Sequence, residues 1–126
     1  MKIIDAHQHF WDPSRGDYSW MPRDNKTLNK KYDLKDLAKD SKSIELHKTV
    51  LVQAAATNAE TEYMLNIAEN SDLISGVVGW VNFEDPNQLE QLKSLFKTQF
   101  SSGISCIIGL TPTNFGFLAK VFNCSN

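Results

Sequence analysis

The chain has 126 residues, 41% of them apolar and 22% charged, with a formal net charge of −2. This is ordinary composition for one soluble globular domain long enough to bury a core. Without a basic field, nucleic acid and acidic membrane surfaces are excluded as expected partners; no apolar run approaches the roughly 20 residues of a membrane span.

The N-terminus reads as a strand rather than a leader, because Asp5 interrupts a short apolar stretch. With only two cysteines, Cys106 and Cys124, there is no disulfide framework, and a cytoplasmic protein with reduced thiols is expected. The first strand is expected over Lys2 to Ala6, running into His7-Gln8-His9-Phe10-Trp11-Asp12-Pro13. Pro13, Gly16 and Pro22 then mark a long irregular loop through Lys31, with Tyr18 and Trp20 placed as exposed aromatics. A loop of that length is functional or disordered. Asp33 is placed to cap a helix with Leu34, Leu37 and Ala38 on one face.

Thr49-Val50-Leu51-Val52-Gln53-Ala54 is a β-branched run of the kind buried on both faces of a parallel sheet. Thr57 and Glu60 then have the spacing of a capping box, followed by Ala59, Tyr63, Met64, Ile67 and Ala68 at helical spacing. A third strand is expected from about Ile74 to Phe83. A helix follows, with Asp85 at its N-cap, Pro86 and Gln88 in its first turn, and Leu89, Leu92, Leu95 and Phe96 on its apolar face. A fourth strand is expected over Ile104 to Leu110, where Cys106 reads as a small buried residue. After a turn at Thr111-Pro112-Thr113-Asn114 a short helix is expected over Phe115 to Phe122.

Strand starts near residues 48, 74 and 103 are separated by 26 and 29 residues, from 74 − 48 and 103 − 74, the length of a βα repeat. Strands alternating with amphipathic helices predict an α/β fold with a parallel sheet. No Gly-rich fingerprint follows a strand, so nothing supports a dinucleotide fold.

His7-x-His9 carries the chemistry. Residues i and i+2 of a strand share a face, so two imidazoles at its C-terminal end can reach one point above the sheet. They could grip a metal there or hydrogen-bond a carboxylate or lactone oxygen. A bare H-x-H is a weak pattern; the strand end, the aromatics and the long loop around it give this one its weight. Asp5 shares the face and reads either as a histidine-orienting acceptor or as a turn-proximal or salt-bridged Asp. Trp11 and Trp20 read equally as walls for a sugar-like ring and as loop packing. Gln53 reads as a strand-end amide facing the site or as a strand cap, Trp80 as core, and His47 as a surface residue ahead of the second strand. No nucleophilic triad and no acidic pair of interpretable spacing is visible.

Ile4-Asp5-Ala6-His7-Gln8-His9-Phe10-Trp11-Asp12-Pro13 resembles the opening strand of the amidohydrolase superfamily, and more narrowly the amidohydrolase-related branch that includes fuconolactonase and the pyrone-dicarboxylate lactonases. Tyr18-Ser19-Trp20-Met21-Pro22 resembles that branch's first loop, Val50 to Ala55 its second strand and Gly76 to Phe83 its third, so the match runs over about residues 2 to 104. The resemblance implies a (β/α)₈ barrel with its site at the C-terminal rim, and hydrolysis of a lactone C–O bond by water. It implies that His7 and His9 hold a divalent metal of the zinc kind or, in a metal-independent enzyme, bind substrate directly. Trp11, Trp20 and Gln53 would contact the lactone or sugar-acid substrate.

The agreement is partial. A (β/α)₈ barrel needs about 250 residues, so this chain matches about four βα units, the N-terminal half. The branch's later histidines and its last-strand Asp have no counterpart, and its Gly-Ile-Arg at the fourth strand reads Gly103-Ile104-Ser105 here. The expectation is one partial barrel domain over residues 1–126, diverging from the family over 105–126, as in a truncated or frameshifted product. Such a chain is expected to be inactive alone. The rival readings are a non-catalytic half-barrel fragment or small binding module, which the open sheet edge would invite to self-associate, and an unrelated small α/β domain.

Overall fold

Val, Ile and Leu at alternating positions, punctuated by capped amphipathic segments, build a sheet with helices packed on one face. The computed structural model describes residues 1–80, 82, 85–87, 90, 105–108 and 120–122. Their strands are β1 (Ile3–Gln8), β2 (Leu46–Val52), β3 (Ile74–Gly79), β4 (Ser105–Ile108) and β5 (Lys120–Phe122). The helices are α1 (Leu34–Asp40) and α2 (Asn58–Glu69), with one 3₁₀ turn at Pro13–Arg15. The sheet order is β1-β2-β3-β4-β5. The first three pairings are parallel, as the βα repeat requires.

Each helix begins where its cap was expected. Asp33 accepts from the Lys35 amide and Asp36 reaches back to the Asp33 amide, closing a capping box on α1. Thr57 caps α2 by accepting from the Glu60 amide at 3.1 Å. The Asp85 carboxylate accepts from the Asn87 amide at 2.9 Å, and Pro86, Asn87 and Glu90 are helical. Gln88, Leu89, Leu92, Leu95 and Phe96 lie outside the described residues.

α2 buries its apolar stripe against the sheet, and α1 packs half-buried Leu34 and Leu37 on the same core, while Ala38, expected on that face, is exposed. Phe10, Leu51, Met64, Leu65, Ala68, Ile74 and Val77 form the core, and Leu34, Leu37, Tyr63 and Ile67 pack around it. Leu51 and Met64 are fully buried, each contributing roughly 1.5–3 kcal/mol of transfer free energy. Leu65 also turns inward, and the sequence pattern had not placed it there. β2 is not buried on both faces: Thr49 and Leu51 are buried, while Val50 and Val52 on the other face are half-buried. α2 and β3 approach closely at Gly79, where an added Cβ would lie 2.5 Å from Thr61 Cγ2. Thr61 Oγ1 uses that closeness to accept from the Trp80 amide and donate to the Trp80 carbonyl. Trp80 is thus tied to α2 by its backbone.

Several expectations need correction. β1 runs on to Gln8 and β2 starts at Leu46, so that the exposed His47 lies inside it; of the fourth strand expected over Ile104 to Leu110, Ser105–Ile108 form β4, and residues 104, 109 and 110 lie outside the described residues. β3 ends at Gly79, and residues 81, 83 and 84 lie outside the described residues. The helix expected over Phe115 to Phe122 does not hold at its end: Lys120–Phe122 form β5, antiparallel to β4. Three residues including Val121 and Phe122 suit a pleated pairing, and β4 offers them a ladder that a short helix cannot match. The sheet is therefore not a four-stranded, all-parallel one, and β5 departs from barrel geometry, in which every strand is parallel.

Candidate functional site

The imidazole pair arises from an irregularity in β1. Asp5 pairs with Thr49 and Gln8 with Leu51, so three steps along β1 face two along β2. That extra residue is a β-bulge, a device common at barrel rims and beside active sites. The His7 amide, which lies in this irregular stretch, is bound by Asp5 Oδ1 at 3.0 Å. Asp5 thus steadies the histidine's backbone rather than its ring. Ala6 and His7 are both exposed in succession, which simple alternation would not allow.

The bulge brings His7 Nε2 to 3.0 Å from His9 Nε2, with the rings edge-to-face at 4.7 Å. His9 Nδ1 lies 2.8 Å from the Val52 carbonyl oxygen. A carbonyl only accepts, so Nδ1 carries the proton, and in that tautomer Nε2 is the nitrogen that offers a lone pair. Two imidazole nitrogens on a tetrahedral zinc at about 2.0–2.1 Å would be about 3.3 Å apart, so the observed approach fits one edge of such a centre. A ring held through its other nitrogen by a carbonyl is the usual support for a metal-binding histidine. Among the described residues no group of three or more His, Cys, Asp or Glu is placed to hold a metal ion. The pair therefore fits part of a ligand set.

A cavity of about 290 Å³ opens beside the pair, lined by His7, His9, Trp11, Tyr32, Asp33 and Asp36 among others. Trp11 is held there by its Nε1–H donating to the Leu28 carbonyl at 3.0 Å and by its ring lying 4.9 Å from that of Tyr32. Trp20 does not line this cavity. It is 52% exposed, donates Nε1–H to the Ala54 carbonyl at 2.7 Å and meets Trp11 edge-on at 6.5 Å. Gln53 also lies outside the cavity lining. Its amide continues the sheet by donating to Val78, its alternation is that of Thr49 and Leu51, and its Oε1 is buried without a partner. The structure thus gathers His7, His9 and Trp11, sets Trp20 against Trp11, and leaves Gln53 apart.

The long loop is ordered by contacts of its own. Trp11 and Tyr32 close its ends through two backbone hydrogen bonds, and Tyr18, Met21 and Ala55 form a second small core beneath Trp11, Leu28 and Ala54. Its anchor is Glu60, which the capping-box reading sent back toward Thr57. The Glu60 side chain, 0% exposed, instead turns away from the cap. It accepts from Tyr18 Oη at 2.8 Å and from the Ala54 amide at 3.2 Å, and Arg15 Nη2 lies 3.8 Å away. Burial raises the Glu60 carboxyl above its usual range, opposed by the Tyr18 and Ala54 hydrogen bonds and the Arg15 charge. Burial, with the Glu60 hydrogen bond and charge, pushes the Tyr18 phenol well above its own. Asp12 is held below its usual value, first by its hydrogen bond from Ser14. Local sequence carries no sign of the Glu60 cluster, because its members come from two segments about 40 residues apart.

No family model matches the chain. It is 31% identical over 101 residues to an L-fucono-1,5-lactonase from Burkholderia ambifaria, covering 80% of this chain and 35% of that protein. An amidohydrolase from Burkholderia multivorans, solved with bound zinc, superposes with a TM-score of 0.64 at 32% identity, over 71% of this chain and 32% of that one. An amidohydrolase from Bifidobacterium longum subsp. infantis aligns with a TM-score of 0.50 at 21% identity over 84% of this chain and 50% of that one, a likeness of fold alone. The chain spans about a third of the length of the lactonase and of the zinc-bound structure.

Proposed function

From the premise that this chain belongs to the amidohydrolase lineage of lactone hydrolases and matches the N-terminal portion of its members, we propose that it carries the imidazole part of a site for water attack on a lactone carbonyl. The observation that carries this reading is the convergence of His7 Nε2 and His9 Nε2 at 3.0 Å, with His9 Nδ1 turned to the Val52 carbonyl. The zinc bound in the Burkholderia multivorans relative supports a divalent ion as the occupant. Such an ion, held by the two Nε2 atoms, would act as a Lewis acid toward the ring carbonyl and make water a better nucleophile at neutral pH.

The remaining work belongs to the chain's own groups. Val52 keeps His9 in one tautomer, Asp5 keeps the bulge that aims His7, and Trp11 walls one side of the cavity where a sugar-lactone ring would sit against its face. Trp20, exposed and edge-on to Trp11, would extend that wall beyond the cavity lining, and Gln53 would reach a hydroxyl-bearing substrate only if its side chain, whose Oε1 is buried without a partner, turned toward the rim. The acids that line the cavity among the described residues, Asp33, Asp36 and Asp40, belong to α1 and its N-cap, and Asp33 and Asp36 are engaged in its capping box. Residues 1–126 alone are expected to bind at this site without completing the reaction, in a cytoplasmic setting where the two cysteines of the sequence would stay reduced. Hydrolysis of L-fucono-1,5-lactone by the purified chain with added zinc tests this. Turnover no greater than that of the His7→Ala/His9→Ala protein is expected, and turnover that disappears in that double variant would overturn it.

A further inference from the structure

We propose that Glu60 is a positioning residue: its buried carboxylate clamps the 11–32 loop to the end of β2 and so holds the aromatic wall of the imidazole cavity in place. The inference deepens the reading of that cavity as a substrate site and rests on it for its functional meaning.

Three observations converge. First, a fully buried carboxylate on a helix's first turn has a local partner in its own N-cap amide, yet Glu60 takes donors from elsewhere, the Tyr18 hydroxyl and the Ala54 amide. Second, both ends of the Ala54 peptide unit and its neighbour are used for the same purpose. The Ala54 amide serves Glu60 while the Ala54 carbonyl accepts from Trp20 Nε1, so one short segment after β2 receives the loop twice. Third, Arg15 reinforces the join. It pairs with Asp17 at 2.5 Å, donates to the Ala59 carbonyl at 2.9 Å and lays its guanidinium 4.2 Å from the centre of the Tyr63 ring. From Tyr18 the contact passes edge-on to Trp20 at 6.4 Å and from Trp20 edge-on to Trp11 at 6.5 Å. Trp11 is the member that lines the cavity with His7 and His9. Glu60 thus touches no substrate; it acts through Tyr18 and Trp20.

The test uses the whole chain without added metal. Trypsin can cut the loop after Arg15, Arg23, Lys26, Lys30 and Lys31, while Lys39, Lys42 and Lys48 serve as an internal reference outside it. Tyr18→Phe removes one hydroxyl and leaves α2 untouched; Glu60→Ala removes the acceptor itself. In Tyr18→Phe the ratio of loop to reference cleavage is expected to rise at least tenfold, and the near-ultraviolet circular dichroism from Trp11 and Trp20 to collapse, while the far-ultraviolet spectrum stays that of the parent. The Tyr18→Phe/Glu60→Ala pair is expected to release the loop by less than the sum of the two single effects, because the Tyr18–Glu60 hydrogen bond is lost in each. An unchanged cleavage ratio in Tyr18→Phe overturns the proposal, even if Glu60→Ala fails to fold. Zinc binding is measured on the same samples: its absence from the parent chain would remove the site reading, whereas the cleavage ratio would still decide the clamp.

Discussion

At the scale of single residues, the two most informative groups are a histidine and a glutamate whose surroundings assign them opposite tasks. His9 donates through Nδ1 to a carbonyl and offers Nε2 to its neighbour, so it is built to present a lone pair. Glu60 is built to receive, and its titration has a definite sign. Its folded carboxyl binds a proton more tightly than its ordinary value of 4.5, with Tyr18, Arg15 and Asp17 facing it from the loop and Tyr63 standing on the same helix. The stability it contributes is therefore full below 4.5 and is lost as pH rises through the folded value. Urea midpoints measured from about pH 4 to 8 should fall over that window in the parent and run flatter in Glu60→Gln, which has no proton to lose. Equal slopes in the two proteins would contradict this. Asp12 acts in the opposite sense, stabilising above 3.8 and losing that contribution as pH falls through its lowered folded value. The histidine pair was legible because strand alternation and a short spacing point to it. The bulge that aims it was not, because it is a mismatch between strands rather than a property of either.

At the scale of elements, the caps and stripes were readable and the edges were not. Thr57, by its spacing to Glu60, and Asp33, ahead of Leu34 and Leu37, stand where a helix start was expected, because capping is a local interaction. Thr57→Ala should cost about 1 kcal/mol, read as a shift in urea midpoint at unchanged slope. The close contact of β3 and α2 offers a sharper test. A methyl group at Gly79 would meet a Thr61 side chain already held by the Trp80 amide and carbonyl, so it has little freedom to yield. Gly79→Ala should therefore destabilise by roughly 1–3 kcal/mol, and a neutral urea midpoint would contradict this. The misreading of Lys120–Phe122 as helical has the converse origin. A three-residue strand is chosen by the partner it finds, and the edge of β4 cannot be seen in the sequence of β5.

At the scale of the whole molecule, the parallel order of β1 to β4 with both helices on one face is the beginning of a barrel wall, and the imidazoles stand at the C-terminal end of its first strand. The alternating strands and helices made that architecture legible, and four stretches of resemblance gave it a lineage that the lactonase and amidohydrolase relatives bear out. Gln53 marks the limit of such inference: legible either as a strand-end amide facing the site or as a strand cap, it shares the alternation of Leu51, and its Oε1 is buried. The central claim is that His7 and His9 together form a metal-binding edge. Zinc titration against a chromogenic chelator tests it most directly, comparing the parent chain with His7→Ala and His9→Ala. The account expects one equivalent of zinc, with affinity weakened at least tenfold by either substitution. Zinc binding that survives both substitutions, or none in the parent, would contradict it.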